Sequence, residues 1–145
     1  MSKNGEREVV LSSKDVVAGY LPGVDILTGC NFDLYKGELV GIIGPNGAGK
    51  STLVKSMFGL VEVRSGVVEL MGEAITNLPA HQLVEKGVGF VPQTENVFPS
   101  LTVSENLEMG AYQLPKQQVE KRIQAITDLF PRLGERIRQR AGLLS

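Results

Sequence analysis

Leu39-Val40-Gly41-Ile42-Ile43-Gly44-Pro45-Asn46-Gly47-Ala48-Gly49-Lys50-Ser51-Thr52 is the stretch that decides the fold. Its first five residues are apolar on both faces when extended, and a strand that hides both faces belongs inside a sheet covered by helices. Gly44-x-x-x-x-Gly49-Lys50-Ser51 then matches the phosphate-binding loop pattern without a gap, and a helical run to about Phe58 follows. Glycines let backbone N–H groups turn inward where a β-carbon would collide with phosphate oxygens. The following helix aims its positive N-terminal end at the anion. Lys50 supplies a point charge to the β- and γ-phosphates, and the Ser51 hydroxyl is a hard oxygen ligand for Mg²⁺. The residue frequencies of the chain yield about 0.01 such matches by chance, so nucleotide binding is preferred to an accidental glycine-rich turn.

Working outward, Val9–Leu11 and Val16–Val17 read as short strands between polar turns, after a polar start over residues 1–8 expected to fray. From Ile26 to Leu39 the residues alternate, with Cys30, Phe32 and Leu34 on one face and Asn31, Asp33 and Tyr35 on the other. That pattern predicts a half-buried antiparallel strand, turned at Lys36-Gly37-Glu38, with Cys30 as a small buried hydrophobe. Met57, Phe58 and Leu60 are expected on the core face of the helix after the loop. Val67–Met71 reads as a strand, Pro79–Glu85 as a helix, and Gly87–Val91 as a short buried strand leading to Pro92-Gln93. Thr102 with Glu105 three residues on forms a capping box, and a helix through about Gly110 follows. Val119, Ile123, Ile126, Leu129 or Phe130, and Leu133 recur at helical spacing, giving an amphipathic helix ended by Pro131 or soon after. Strands dominate residues 1–98 and helices 99–145, which sets the expected subdomain boundary.

The composition fits a soluble globular domain. The chain has 145 residues, 42% hydrophobic and 21% charged, with 15 basic against 16 acidic side chains. A net charge of −1 supplies no field that would drive it onto nucleic acid, so no nucleic-acid partner is expected. One cysteine cannot form an internal disulfide and suits a reducing compartment. The polar start lacks the apolar stretch of a secretory signal, and no apolar run approaches the roughly 20 residues that span a bilayer. Secreted, membrane-spanning and fibrous classes are thereby disfavoured. Residues 116–140 carry seven basic and three acidic side chains, +4 against −5 elsewhere. A solvated helix face is the simpler account of that segment, and docking to a membrane subunit or an anionic headgroup layer the sharper one.

GPNGAGKST at Gly44–Thr52, then Val91-Pro92-Gln93, then Phe98-Pro99-Ser100-Leu101-Thr102-Val103-Ser104-Glu105-Asn106-Leu107, resembles the ATP-binding subunit of ABC transporters. Gln93 together with FPSLTVSENLEMGAY is most similar to ATPase subunits of branched-chain amino acid importers. The resemblance runs from about Val9 to the last residue. It implies an α/β P-loop NTPase (RecA-like) core with an N-terminal antiparallel β part, a partial parallel sheet and the start of a helical subdomain, incomplete. ATP and Mg²⁺ are the implied ligands. Tyr20 falls where the family places an aromatic stacked on adenine, and Gly44, Pro45, Asn46, Gly47, Ala48, Gly49, Lys50, Ser51 and Thr52 form the phosphate cradle. Lys50 and Gln93 are the implied catalytic residues, and Ser51 and Gln93 the implied metal ligands. Gln93 is too weak a base to remove a proton, so its part would be positioning and sensing. A second ATPase subunit arranged head to tail, and membrane permease subunits, are the implied partners, with the protein cytoplasmic and peripheral on the inner face of the cell membrane.

Two family features are missing. No run of four apolar residues is followed by the acidic residue that would hold Mg²⁺ and polarise water, and the single histidine, His81, precedes Gln93 in a polar helix and reads as a surface residue. Arg140-Ala141-Gly142-Leu143-Leu144-Ser145 resembles the run into the family signature LSGGQ, whose serine faces the nucleotide held by the partner subunit. The expectation is therefore an N-terminal part of a longer ATPase, or a truncated product, inactive by itself and weak in ATP binding. Two other readings stay open: an ABC ATPase for another substrate, and a non-catalytic nucleotide-binding module.

Overall fold

The computed structural model describes residues 7–94 and 96–144. Of the start over residues 1–8 expected to fray, residues 1–6 lie outside the described residues, as does the role given to Ser145, while the Glu8 carbonyl accepts from Lys36 N–H at 2.9 Å. The chain divides into two compact units, Met1–Phe90 and Val91–Ser145, whereas the sequence places its boundary after residue 98.

The first unit holds β1 (Val9–Ala18), β2 (Leu27–Tyr35), α1 (Lys50–Met57), β3 (Val63–Leu70), β4 (Glu73–Ala74) and α2 (Ala80–Glu85). The strands form one antiparallel sheet in the order β2-β1-β3-β4. The two short strands expected at Val9–Leu11 and Val16–Val17 are one strand. In its polar middle Ser12 and Ser13 are buried and paired on both sides, and Lys14 is paired with β3. Met71 and Gly72, both at positive φ, join β3 to β4 in the way a two-residue type I′ hairpin requires. Val16, Ala18, Leu27, Leu53, Met57, Val68, Ile75 and Leu83 are among the buried residues of a core between the sheet and the helices. Phe58 stacks on Phe90 there, with ring centroids 5.3 Å apart.

The structure corrects further expectations. Leu39–Ile43 is not a buried strand: the segment joins no ladder, and Leu39 and Ile43 are 99% and 96% exposed. Its apolar pattern is that of a central strand, yet burial needs neighbours on both sides, and no described strand pairs with it. Gly87–Val91 likewise joins no ladder; Val88 and Phe90 pack on the core while Val91 is 81% exposed. The parallel part of the sheet is thus not formed among the described residues. Leu60 is exposed beyond the end of α1, where the chain has left the helical period, and Cys30 is half-buried because β2 is an edge strand.

The second unit is helical: α3 (Val103–Gly110), α4 (Lys116–Leu129), α5 (Pro131–Glu135) and a 3₁₀ turn at Ala141–Leu143. Pro131 ends α4 as expected and also begins α5, where its missing N–H is no loss. The capping box forms: Glu105 N–H donates to Thr102 Oγ1 at 3.2 Å, and Thr102 N–H donates to Glu105 Oε2 at 2.7 Å. The tail supplies the rest of the cap. Val103 N–H donates to the Gln139 carbonyl at 3.0 Å and Ser104 N–H to that of Ile137 at 2.9 Å, so the first N–H groups of α3 are all engaged. Among the described residues no helix is long and apolar enough to cross a membrane.

Candidate functional site

The loop between Ile43 and α1 has the backbone its glycines allow. Gly47 and Gly49 stand at φ 83 and 85, a left-handed region that a β-carbon disfavours. A β-carbon on Gly49 would also lie 3.0 Å from Leu27 Cδ2 and 3.4 Å from Ile26 Cγ2, so the loop closes tightly on the start of β2. Leu53 N–H donates to Gly49 O at 2.8 Å, and α1 begins there.

The N-terminus of α1 suits an anion. Gly49 at its N-cap offers no side-chain acceptor, and its first turn carries no acidic residue. The helix dipole and the first backbone N–H groups therefore face no competing negative charge from within the helix. Lys50 donates from Nζ to the carbonyls of Gly44 at 2.8 Å and Pro45 at 2.6 Å, which folds the ammonium back over the loop it follows. Ser51 is exposed and Thr52 is buried, so Ser51 offers the accessible hydroxyl and Thr52 can reach a phosphate only through its backbone N–H. Gly44, Pro45, Asn46, Gly47 and Ala48 are exposed around the same loop. Thr52, Leu53, Ser56 and Met57 form the opposite, core-facing side of α1 and anchor it.

Among the described residues no cluster of three or more His, Cys, Asp or Glu side chains could hold a metal alone. The exposed Ser51 hydroxyl is a hard oxygen donor of the kind that, with waters and substrate phosphates, would suit Mg²⁺.

Tyr20 is 53% exposed, and the Lys55 ammonium of α1 lies 5.6 Å from its ring centroid, within cation–π reach. Tyr20 and the phosphate loop thus belong to the first unit. Gln93 is exposed in a bend of the second unit. His81 is exposed on α2, as expected. Sequence reasoning singled out neither Lys55 nor Arg64. Lys55 could have been found one helical turn past Ser51 on the helix that follows the loop, whereas Arg64 carries no local signal.

The family model described as ABC transporter matches residues 27–145. The chain is 47% identical over 128 residues to a probable branched-chain amino acid transport ATP-binding protein, LivF, of Archaeoglobus fulgidus, covering 88% of this chain and 54% of that protein. It is 39% identical over 133 residues to the high-affinity branched-chain amino acid transport ATP-binding protein BraG of Pseudomonas aeruginosa, covering 92% and 57%. Among solved structures, an ATP-binding cassette of an ABC transporter in its ADP conformation matches with a TM-score of 0.80 and 29% identity, over 94% of this chain and 59% of that one. The chain therefore spans about half the length of the curated relatives it matches.

Proposed function

The chain belongs to the ABC transporter family of ATP-binding proteins, and from that premise we propose that it carries the ATP-contacting part of an ATPase that drives amino acid uptake. The phosphate loop carries this reading: two glycines in left-handed conformation, an N-terminus of α1 free of acidic groups, and Lys50 held over the loop. In the bound state the triphosphate would replace the carbonyls of Gly44 and Pro45 as the partners of the Lys50 ammonium. Backbone N–H groups of the loop and of the first turn of α1 would hold the β- and γ-oxygens, which positions the phosphoryl group for in-line attack. Ser51 would hold Mg²⁺, which would supply positive charge to offset that of the phosphates. Gln93 would add a neutral amide oxygen for the metal and the attacking water. Tyr20 would take the base by stacking, an interaction indifferent to base identity.

The whole protein's reaction, substrate and partners belong to the same proposal. Both curated relatives quoted carry branched-chain amino acid transport in their names, which supports that substrate class here. Permease subunits, and a second ATPase subunit completing the nucleotide site, would place the protein peripherally on the inner face of the cell membrane. The bare Leu39 and Ile43 support further strands beside this segment in the whole protein, since an apolar run open on both faces is otherwise costly.

Replacing Lys50 with Met in the whole protein is the direct test. ATP hydrolysis and uptake of leucine, isoleucine and valine into membrane vesicles should both fall by about a hundredfold or more. Hydrolysis that survives the change would sink the catalytic reading. Hydrolysis that is lost while uptake of the three amino acids was never present would remove the substrate assignment alone.

A further inference from the structure

Arg64 follows Val63, which pairs with Ala18 at the end of β1, and its guanidinium crosses to the loop that carries Tyr20. Nη1 donates to the Val24 carbonyl at 3.1 Å and to the Asp25 carboxylate. Nη2 donates to the Gly19 carbonyl at 3.3 Å and to that of Leu21. Three carbonyls and one carboxylate, spread over Gly19 to Asp25, thus converge on one planar group. A guanidinium can meet such a set because its donors lie in a fixed fork; an ammonium is a single point.

The loop is otherwise lightly held. Val24 N–H donates to Leu21 O at 3.0 Å, closing a turn with Pro22 and Gly23 at its centre, and Ile26 N–H donates to Ala18 O at 2.9 Å. A β-carbon on Gly19 would lie 2.0 Å from Val24 O, so the two limbs run close together. Tyr20 sits between Gly19 and Leu21, the two residues whose carbonyls Nη2 engages, and its own side chain is largely in solvent. On one side of its ring stands Lys55 of α1, the helix that begins at the phosphate loop.

We propose that Arg64 is a positioning residue for the nucleotide base: by gripping the backbone on both sides of Tyr20 it sets the stacking ring relative to α1 before the base arrives. The inference rests on the reading of Tyr20 as the adenine-stacking residue. A ring fixed in advance spares the bound complex the entropy of ordering the loop. The consequence is selective. Arg64 acts on affinity for the base and leaves the phosphate contacts of Lys50 and the loop alone.

The test measures binding of MgATP and of magnesium tripolyphosphate, which lacks a base, to the whole ATPase. Arg64→Ala should weaken ATP about tenfold, the scale of one lost stacking contact, and leave tripolyphosphate unchanged. Tyr20→Ala should do the same, and the double variant should be no weaker than Tyr20→Ala alone. In steady-state hydrolysis the loss should fall on KM, with kcat within about twofold of wild type. Arg64→Lys keeps a charge for Asp25 but not the fork, and should give the same selective loss if Arg64→Ala does not fold. If the Arg64 variants weaken both ligands equally, Arg64 serves the fold at large and the inference is overturned. If Tyr20→Ala weakens ATP while the Arg64 variants do not, the inference fails and base stacking stands. If Tyr20→Ala leaves ATP affinity unchanged, the stacking reading falls and takes the inference with it.

Discussion

The two units of this chain are held by different physics. In Met1–Phe90, α1 and α2 are pressed by buried Leu53, Met57 and Leu83 onto a four-stranded sheet. In Val91–Ser145 the buried hydrophobic residues among those described are Val103, Ala111 and Ala141, and neither α4 nor α5 buries a residue. There the chain is fixed by hydrogen bonds instead. The tail caps α3, and Asn106 donates to the carbonyls of Phe98 and Thr102 while accepting from Phe98 N–H. Apolar burial is non-directional and additive over a large face, whereas a hydrogen-bonded cap is directional and fails one group at a time. A loop that must hold a triphosphate to within a fraction of an ångström belongs on the first kind of support. The second kind suits a part that is able to open locally.

Leu83→Ala should break the stronger side of this contrast most visibly. Leu83 is fully buried on α2, a helix of six residues with no side-chain cap, too short to persist without tertiary packing. Truncation should cost about 2–5 kcal/mol, read as a lower midpoint in urea, with hydrogen exchange accelerating through β1, β3 and α1 together. Faster exchange confined to α2 would show that the core is not one cooperative unit.

Asn106→Ala addresses the other side. It removes the acceptor for Phe98 N–H and the donor to the carbonyls of Phe98, Leu101 and Thr102 in the turn that leads into α3. The expected cost is about 1–3 kcal/mol, with protection lost at residues 98–106 only. A cooperative loss across all the helices of this unit would mean that its few buried side chains matter more than its caps do.

What the sequence made legible follows the same division between local and distant causes. The phosphate loop could be read because its glycines, Lys50 and Ser51 act at fixed spacing along one short stretch. Thr102 and Glu105 could be read because a capping box spans three residues. Burial of Leu39–Ile43 could not, since an apolar run records what a segment prefers and says nothing of whether strands lie beside it. The unity of β1 was hidden by Ser12, Ser13, Lys14 and Asp15, which look like a turn. Ser12 and Ser13 pair with both β2 and β3 and Lys14 with β3, which carries the strand on, with register shifts at Lys14 and Asp15 before the pairing resumes at Val16 and Val17. Arg64 was invisible for the most general reason: the residues it engages are 39 to 45 positions away, and only the register of β1 against β3 brings them together.

Acid should sharpen the comparison with the smallest effect, because the cap of α3 contains a titrating group. The Glu105 carboxyl accepts from the Thr102 backbone N–H and from the Thr102 hydroxyl, and Arg140 adds a weaker attraction, all of which hold it below the usual glutamate range. A carboxyl whose value is depressed in the folded state contributes stability that is complete above its unfolded value, near 4.3, and is lost as pH falls through the folded one. The cap should therefore weaken progressively below about pH 4.3 and be intact at neutral pH. Carboxyl carbon shifts in an NMR titration would place the Glu105 midpoint directly, and a midpoint at or above that of an ordinary glutamate would refute the assignment. Glu105→Gln keeps an acceptor for Thr102 N–H but cannot titrate, so the acid-induced loss of protection in α3 should disappear while the core of the first unit responds to pH as before.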